Sequence, residues 1–453
     1  MAKVDVLIIG AGTAGEYASG TAKQYTDSIA MIEKGPVGGD CIFHACIPTK
    51  ALVHAARAYK KMKTTDFFGL PTLSGVAEYK KVKAFKDRII SGIATGRDER
   101  WIKQGIQLFR GNASFISPNE VKVADEVIKA DKIIITTGSM PAVPPIPGLK
   151  ETGYITNVEA LELERVPERP AIIGGGPIGV EFAQVFTAFG SKVTIYEALD
   201  RILIGEDEEV SQTVLGFFEK QEISVSTSVT VGGVESTSSG KLIITKSQDG
   251  QENRTEHDSI LVATGRGPAI DDLNLSAANI EAGRKGIVVN SSLQTNMPHI
   301  WAAGDATGTF LFTFVAGEQG KTAVMNALGG KNIELNYEVL PRATFCDPEV
   351  ASVGLTEKQA REKGYNVKVG KFDYANLTRA IVSDETDGFI KVVTEEDSGR
   401  ILGGHIVGAE ASSLIHEIAA AMAGGTNVKD IGNTLHAYPT LSEGVRYACQ
   451  ATM

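Results

Sequence analysis

VDVLIIGAGTAG, residues 4–15, decides how this chain folds. The apolar run up to Ile9 reads as a buried strand. Gly10, Gly12 and Gly15 follow at once, then a helix-compatible stretch, then an apolar segment ending at Glu33. That order is a βαβ dinucleotide fingerprint. Gly10 makes the tight turn, Gly12 lets the backbone approach a pyrophosphate, Gly15 packs helix on strand, and Glu33 binds a ribose hydroxyl. The pattern recurs in AIIGGGPIGVEFAQVFTAFGSKVTIYE, residues 171–197, as Gly174, Gly176, Gly179 and Glu197. First glycine and acid are 23 apart in both copies (33 − 10 and 197 − 174). Two units imply two dinucleotides, one a flavin and one a nicotinamide. A carboxylate at Glu197 accepts from a free 2′-hydroxyl and repels a 2′-phosphate. The next residues, ALDRIL, supply one arginine and no basic cluster, so NAD is expected over NADP.

A chain of 453 residues is too long for one core, and two to four domains are expected. Hydrophobic residues make up 43%, charged residues 22%, and there are 49 glycines, an ordinary soluble α/β composition with extra glycine for turns near ligands. A net charge of −10 argues against a nucleic-acid surface and gives no reason for membrane attraction. No apolar run reaches about 18 residues and no signal-peptide pattern is present, so a reducing cytoplasm is expected. There, two of only four cysteines, Cys41 and Cys46 in GGDCIFHACIPTK (38–50), read as redox or metal chemistry rather than a staple. Five residues of regular helix rise about 7.5 Å. With rotation added, that is too far for a relaxed bridge, which wants Cα atoms about 4.4–6.8 Å apart. At least one of the two must sit on a distorted or non-helical turn. A strained bridge is easily reduced, and such bridges tend to be catalytic.

Nearly the whole chain resembles the FAD-dependent pyridine nucleotide–disulfide oxidoreductases, dihydrolipoamide dehydrogenases most of all. The motifs run in order: the first glycine unit, GGDCIFHACIPTK, ITTGSMPAVPPIPG, the second glycine unit, ATGRGP (263–268), IWAAGDATG, FCDPEVASVGLTE and HAYPTLSE. The resemblance implies that Cys41 exchanges with substrate and that Cys46 lies against the flavin as the charge-transfer thiolate. It implies that Lys50 reaches the flavin ring and pairs with Glu181 beside the nicotinamide pocket. Asp305 would hold the ribityl chain, and Ala113 would approach the adenine through its backbone. Thr137, Gly138 and Gly265 fall in the matching cofactor-binding motifs. No resident metal site is expected.

The departures matter as much. The family carries His before the proline of its C-terminal motif, with Glu five positions on, and that His serves the partner subunit's site as general base. Here Tyr438 precedes Pro439, while Glu443 is retained and His436 matches the other histidine of the pattern. A phenol with an ordinary pKa near 10 is a poor base at neutral pH. Mercuric reductases resemble the chain at this point. His44, between the two cysteines, replaces a usual apolar residue. If the helix has begun, it shares a face with Cys41, where an imidazole could lower the thiol pKa or relay its proton; otherwise it is an exposed helix histidine. Phe314 stands where relatives often have His. Cys346 and Cys449 read as packed residues.

These readings predict two Rossmann-like α/β dinucleotide-binding domains plus a C-terminal α+β dimerisation domain. Residues 1–150 form the first part of the FAD domain, with a helical stretch from Lys50 to Arg110. Residues 151–270 bind NAD, 271–340 complete the FAD site, and 341–453 form the interface domain. There FIKVVTEE and RILGGHIVG read as paired strands and LIHEIAAAMAGG as a helix. The expected protein is a homodimeric disulfide oxidoreductase of the dihydrolipoyl dehydrogenase type. Its partner would be a lipoyl-bearing carrier or a small disulfide, with no nucleic acid and no membrane. The alternatives are a mercuric or other metal-ion reductase, or a reductase of another small disulfide or a quinone.

Overall fold

Strand β1 (Ala2–Ile9) ends in four consecutive buried residues, Val6 to Ile9. A strand with one wet face would alternate; a parallel strand covered on both faces does not. Leu7 and Ile9 enter one core with Phe115, Val121 and Ile133, while Val6 and Ile8 enter another with Ala14, Ala18 and Trp301. The computed structural model describes residues 2–453 as two compact units. The first gathers residues 2–51, 84–142 and 265–336, and the second gathers 52–83, 143–264 and 337–453.

In the first unit, helix α1 (Thr13–Ala22) connects β1 to the parallel strand β2 (Ile29–Glu33). The parallel part of its seven-stranded sheet runs Gln107–Arg110, β2, β1, Glu126–Ile135 and Ile300–Ala302, and Glu120–Val123 and Ala113–Ser117 extend it antiparallel from Glu126–Ile135. The sequence after β2 forms the short helix α2 (Gly39–Phe43) and the 17-residue helix α3 (Cys46–Met62). The stretch read as helical from Lys50 to Arg110 is corrected at its end. Helices Tyr79–Ala94 and Arg97–Lys103 follow α3, but Gln107–Arg110 is a strand. Leu108 and Phe109 there pack into cores on opposite sides, a period of two that no helix provides.

The second unit repeats the arrangement. Its parallel sheet runs Ser224–Ser226, Thr194–Tyr196, Pro170–Ile173 and Ser259–Val262. Helix Pro177–Ala188 opens with proline, whose missing N–H costs nothing in the first turn. It buries Val180, Phe182 and Phe186, and each phenylalanine is worth about 3–5 kcal/mol against alanine. Beyond residue 340 a five-stranded antiparallel sheet appears, ordered Arg342–Thr344, Glu349–Gly354, Ile401–Gly408, Phe389–Glu395 and Val367–Asp373. Phe389 faces Val407, so the two strands expected from the sequence do pair. Helix Ala411–Ala423 covers this sheet, as read.

Candidate active site

Each glycine unit builds the same cradle. Gly10 and Gly174 adopt left-handed φ of +105° and +111°, and a Cβ there would lie 2.5 Å from Thr136 O and 2.4 Å from Ala263 O. Gly15 and Gly179 let helix meet turn: a Cβ would lie 1.9 Å and 2.0 Å from the first glycine's carbonyl oxygen. The acids repeat as well. Glu33 accepts from the amides of Ala11 (2.6 Å) and Gly35 (2.7 Å), and Glu197 from those of Gly175 (2.6 Å) and Leu199 (2.8 Å). Both carboxylates are thereby held beside their glycine turns. Gly12 and Gly176 are the extended N-caps of the helices that follow.

Two cavities open along the first unit's turn. One, of about 180 Å³, is lined by Gly10, Glu33, Ala113 and Thr137. The other, of about 140 Å³, is lined by Gly12, Cys46, Gly138, Asp305 and Thr313. Thr137 Oγ1 in the first and Arg266 Nη1 in the second are buried without a hydrogen-bond partner. A glycine turn, a fixed ribose acceptor and two polar atoms awaiting partners fit FAD.

The thiols sit where helix breaks. The His44 N–H closes α2 on Asp40 O at 2.8 Å, His44 leaves helical geometry at φ −133°, and α3 starts at Cys46. The distorted turn that the cysteine spacing demanded is therefore His44–Ala45. Both thiols are half-buried. Cys46 Sγ lies 3.2 Å from Thr313 Oγ1. The hydrogen bond with Cys46 and then burial push the Cys41 thiol up, against the opposing pull of Thr313 and the Lys50 charge.

His44 lies just past α2, so the shared helix face with Cys41 does not form. Its ring, 43% exposed, pairs through Nδ1 with Asp40 Oδ1 at 3.1 Å. Asp40 also meets the Arg266 guanidinium. Burial alone would raise the Asp40 carboxyl, but His44 and Arg266 hold it below the usual range. Arg266 Nε donates to Ser139 Oγ at 2.8 Å, and Ser139 donates to Asp305 Oδ2 at 2.6 Å. Burial raises the Asp305 carboxyl, opposed by Ser139 and Arg266. Gly138 and Gly265 precede the short antiparallel pair Ser139–Pro141 and Arg266–Pro268 that carries this chain of contacts. Sequence reading singled out neither Arg266 nor Thr313. The one lay inside ATGRGP beside the chosen Gly265; the other stood next to Phe314, which is exposed and stacks on Phe312.

The remaining site residues lie in the second unit. Glu181 is buried on helix Pro177–Ala188 and accepts from Phe345 N at 2.9 Å. Tyr438 is 72% exposed. Glu443 is buried and accepts from Thr440 N (3.0 Å) and Tyr447 Oη (3.1 Å). His436 pairs with Glu417 at 2.8 Å. Cys346 and Cys449 are buried, and burial raises both thiols, Cys449 to about 12. Among the described residues, no group of three or more His, Cys, Asp and Glu is placed to hold a metal ion, and no helix is long and apolar enough to cross a membrane.

Known proteins share this layout. The pyridine nucleotide-disulphide oxidoreductase profile matches residues 4–327, and that family's dimerisation domain matches 340–449, which supports a homodimer. A mercuric reductase of Staphylococcus aureus is 36% identical over 449 residues, 98% of this chain and 81% of that one. A dihydrolipoyl dehydrogenase of Bacillus subtilis (strain 168) is 34% identical over 452 residues, 98% of each. Among solved structures, the Cu(II) complex of the HOCl-induced flavoprotein disulfide reductase RclA of Escherichia coli superposes with a TM-score of 0.88 at 28% identity, covering 99% of each chain. With two repeated nucleotide cradles, a dithiol at a helix break and both profiles matched, the chain belongs to the pyridine nucleotide-disulphide oxidoreductases, flavoproteins that use FAD and NAD(P)H.

Proposed function

We propose that the protein moves electron pairs between NAD(H) and a dithiol through Cys41 and Cys46, with dihydrolipoyl groups as substrate. The observation that supports this most is the placement of both thiols at the α2–α3 break, against Thr313 and under the Lys50 charge. The exchange balances. A substrate thiolate attacks Cys41 sulfur in the oxidised pair and releases Cys46 as thiolate. The second substrate thiol, losing its proton, displaces Cys41 and closes the substrate disulfide. Two electrons then reside on the cysteines. When bound, FAD supplies the two-electron relay from this dithiol to NAD⁺, which is reduced to NADH with one proton released.

Lys50, whose charge acts on the Cys41 thiol, reaches the flavin ring, and Glu181 serves the nicotinamide side. Asp305, Thr137, Gly138 and Gly265 hold the flavin, and Ala113 meets its adenine. Glu197 selects NAD(H), because a fixed carboxylate repels a 2′-phosphate. The nearby Arg201 is already close to Asp200 (3.6 Å) and Glu208 (3.9 Å). Tyr438 and Glu443 of the partner subunit border the substrate. A positioned base is worth about 10²–10⁴ in rate, and Tyr438 stands where the family carries its histidine base. The substrate thiolate must then form largely in solution, so turnover should climb with pH. The carrier is a lipoyl-bearing protein of the cytoplasm.

A second reading, reduction of a soft metal ion held by the Cys41 and Cys46 thiolates, draws on Tyr438 and on the similarity to the Staphylococcus aureus protein. Steady-state rates decide between them. Dihydrolipoamide with NAD⁺ should turn over faster than Hg²⁺ with NADH or NADPH. Rapid Hg²⁺ reduction with negligible lipoamide activity would replace the first reading by the second.

A further inference from the structure

Away from both nucleotide cradles, the second unit holds an open-mouthed cavity of about 320 Å³ between α3, helix Pro177–Ala188, the end of helix Glu208–Lys220 and Asp347. Small-ligand sites start at about 300 Å³. Its walls are of two kinds. Val53, Ala56, Val185 and Ala188 make an apolar floor, and Arg57, Lys60, Lys63 and Lys220 bring four cations. Arg57 is met by Glu349 (2.7 Å) and Lys60 by Asp347 (2.8 Å), while Lys220 has Asp387 at 3.8 Å and stands 5.0 Å from the centre of the Phe217 ring. Lys63 stands over the Tyr59 ring, 4.3 Å from its centre, rather than beside a carboxylate. Positive charge therefore exceeds negative at this mouth.

Two polar atoms of the lining residues point to an occupant. Thr187 Oγ1 and Arg57 Nε are buried with no hydrogen-bond partner. Leaving such groups unpaired is costly, and native proteins keep few. The surroundings are otherwise well satisfied. Gln184 bonds both the N–H (2.7 Å) and the carbonyl oxygen (2.7 Å) of Asp347 and also Gln221 (2.9 Å), so the wall is preformed. We propose that this cavity binds a small amphiphilic organic anion, a carboxylate or sulfonate on an apolar body the size of a short alkyl chain or a fused aromatic pair. The apolar body lies on the floor and the anionic group faces the lysines. The site is independent of the substrate assigned above.

The FAD-loaded full chain, titrated with 8-anilinonaphthalene-1-sulfonate and competed with octanoate, tests this. Saturable fluorescence at one site per chain, displaced by octanoate, is expected. Lys63→Glu, a change at an exposed position, should weaken the displaceable component about tenfold, since it turns attraction into repulsion. Ala188→Phe should fill the floor and abolish that component with FAD content retained. Thr187→Val should raise thermal stability of the free protein while weakening octanoate. Wild-type fluorescence that octanoate does not displace, or displaceable binding unchanged in both Lys63→Glu and Ala188→Phe, would overturn the proposal.

Discussion

The hydroxyl of Thr313 lies 3.2 Å from the Cys46 sulfur, although 267 positions separate the two in sequence. It sits at the start of helix Thr313–Gly329, and its proton is the donor a thiolate at Cys46 would use. Hydrogen bonds to charged groups contribute about 1.5–3 kcal/mol. Thr313→Val keeps shape and deletes the donor, so Cys46 should ionise about tenfold less readily. After reduction with one equivalent of NADH, the long-wavelength absorption band should form only at higher pH than in the wild type, with FAD content unchanged. An identical pH profile would remove Thr313 from the account. At this scale, the sequence made Cys41 and Cys46 legible together with the bend between them, because their spacing conflicts with a relaxed bridge. The Thr313 contact was not legible, because a hydroxyl shows no chemistry until a sulfur is placed beside it. His44 was legible only as a choice, and the end of α2 after Phe43 turned it toward Asp40.

At the scale of elements, strand Phe389–Glu395 is expected from FIKVVTEE and the Ser- and Gly-containing turn after it, yet it buries Lys391 to 5% exposure. Its ammonium meets Asp207 and Glu357 at 3.0 Å each and Glu209 at 3.4 Å. Burial alone would lower the Lys391 pKa, but these carboxylates raise it and keep the charge. Asp207 caps helix Glu208–Lys220 by accepting from Glu209 N, and Thr356 and Gln359 form a capping box on helix Glu357–Glu362. The lysine thus ties one strand to two helix starts. Lys391→Met leaves carboxylates without their cation, a loss of about 3–5 kcal/mol. Chemical denaturation should show that drop, and a variant as stable as the wild type would contradict it. Strand and helices were each foreseeable from local pattern, but the ion cluster was not, since its members come from three separated places in the chain.

At the scale of the molecule, two histidines are buried on the second unit's sheets. His405 lies within the interface sheet, with Nε2 at 3.0 Å from Leu355 O and Nδ1 buried without a partner. Burial holds its pKa below the usual value, opposed by Asp207 and Glu206 and helped by Arg342. His257 is lowered by burial too, while its ring contacts Tyr196 Oη at 3.0 Å. The sign follows from linkage. Below about pH 6.5 the unfolded chain takes up protons that the folded chain refuses, so stability is intact above that pH and falls as pH drops toward the lowered folded values. Thermal midpoints measured from pH 8 to pH 5 should decline below about 6.5, and His405→Gln should flatten that slope. An unchanged slope would place the acid sensitivity elsewhere.

Local order along the chain determined the two nucleotide cradles, the redox pair and the strand–strand–helix run near the C-terminus. Each depends on residues close in sequence, where turn geometry, burial period and spacing act directly. Tertiary structure alone decided that Gln107–Arg110 would be a strand, since β2 offered it a parallel edge. It alone joined His44, Asp40, Arg266, Ser139 and Asp305 into one polar chain and set Thr313 against Cys46. Contacts between distant segments exist only after the sheets have formed, and no local preference encodes which donor will meet which acceptor.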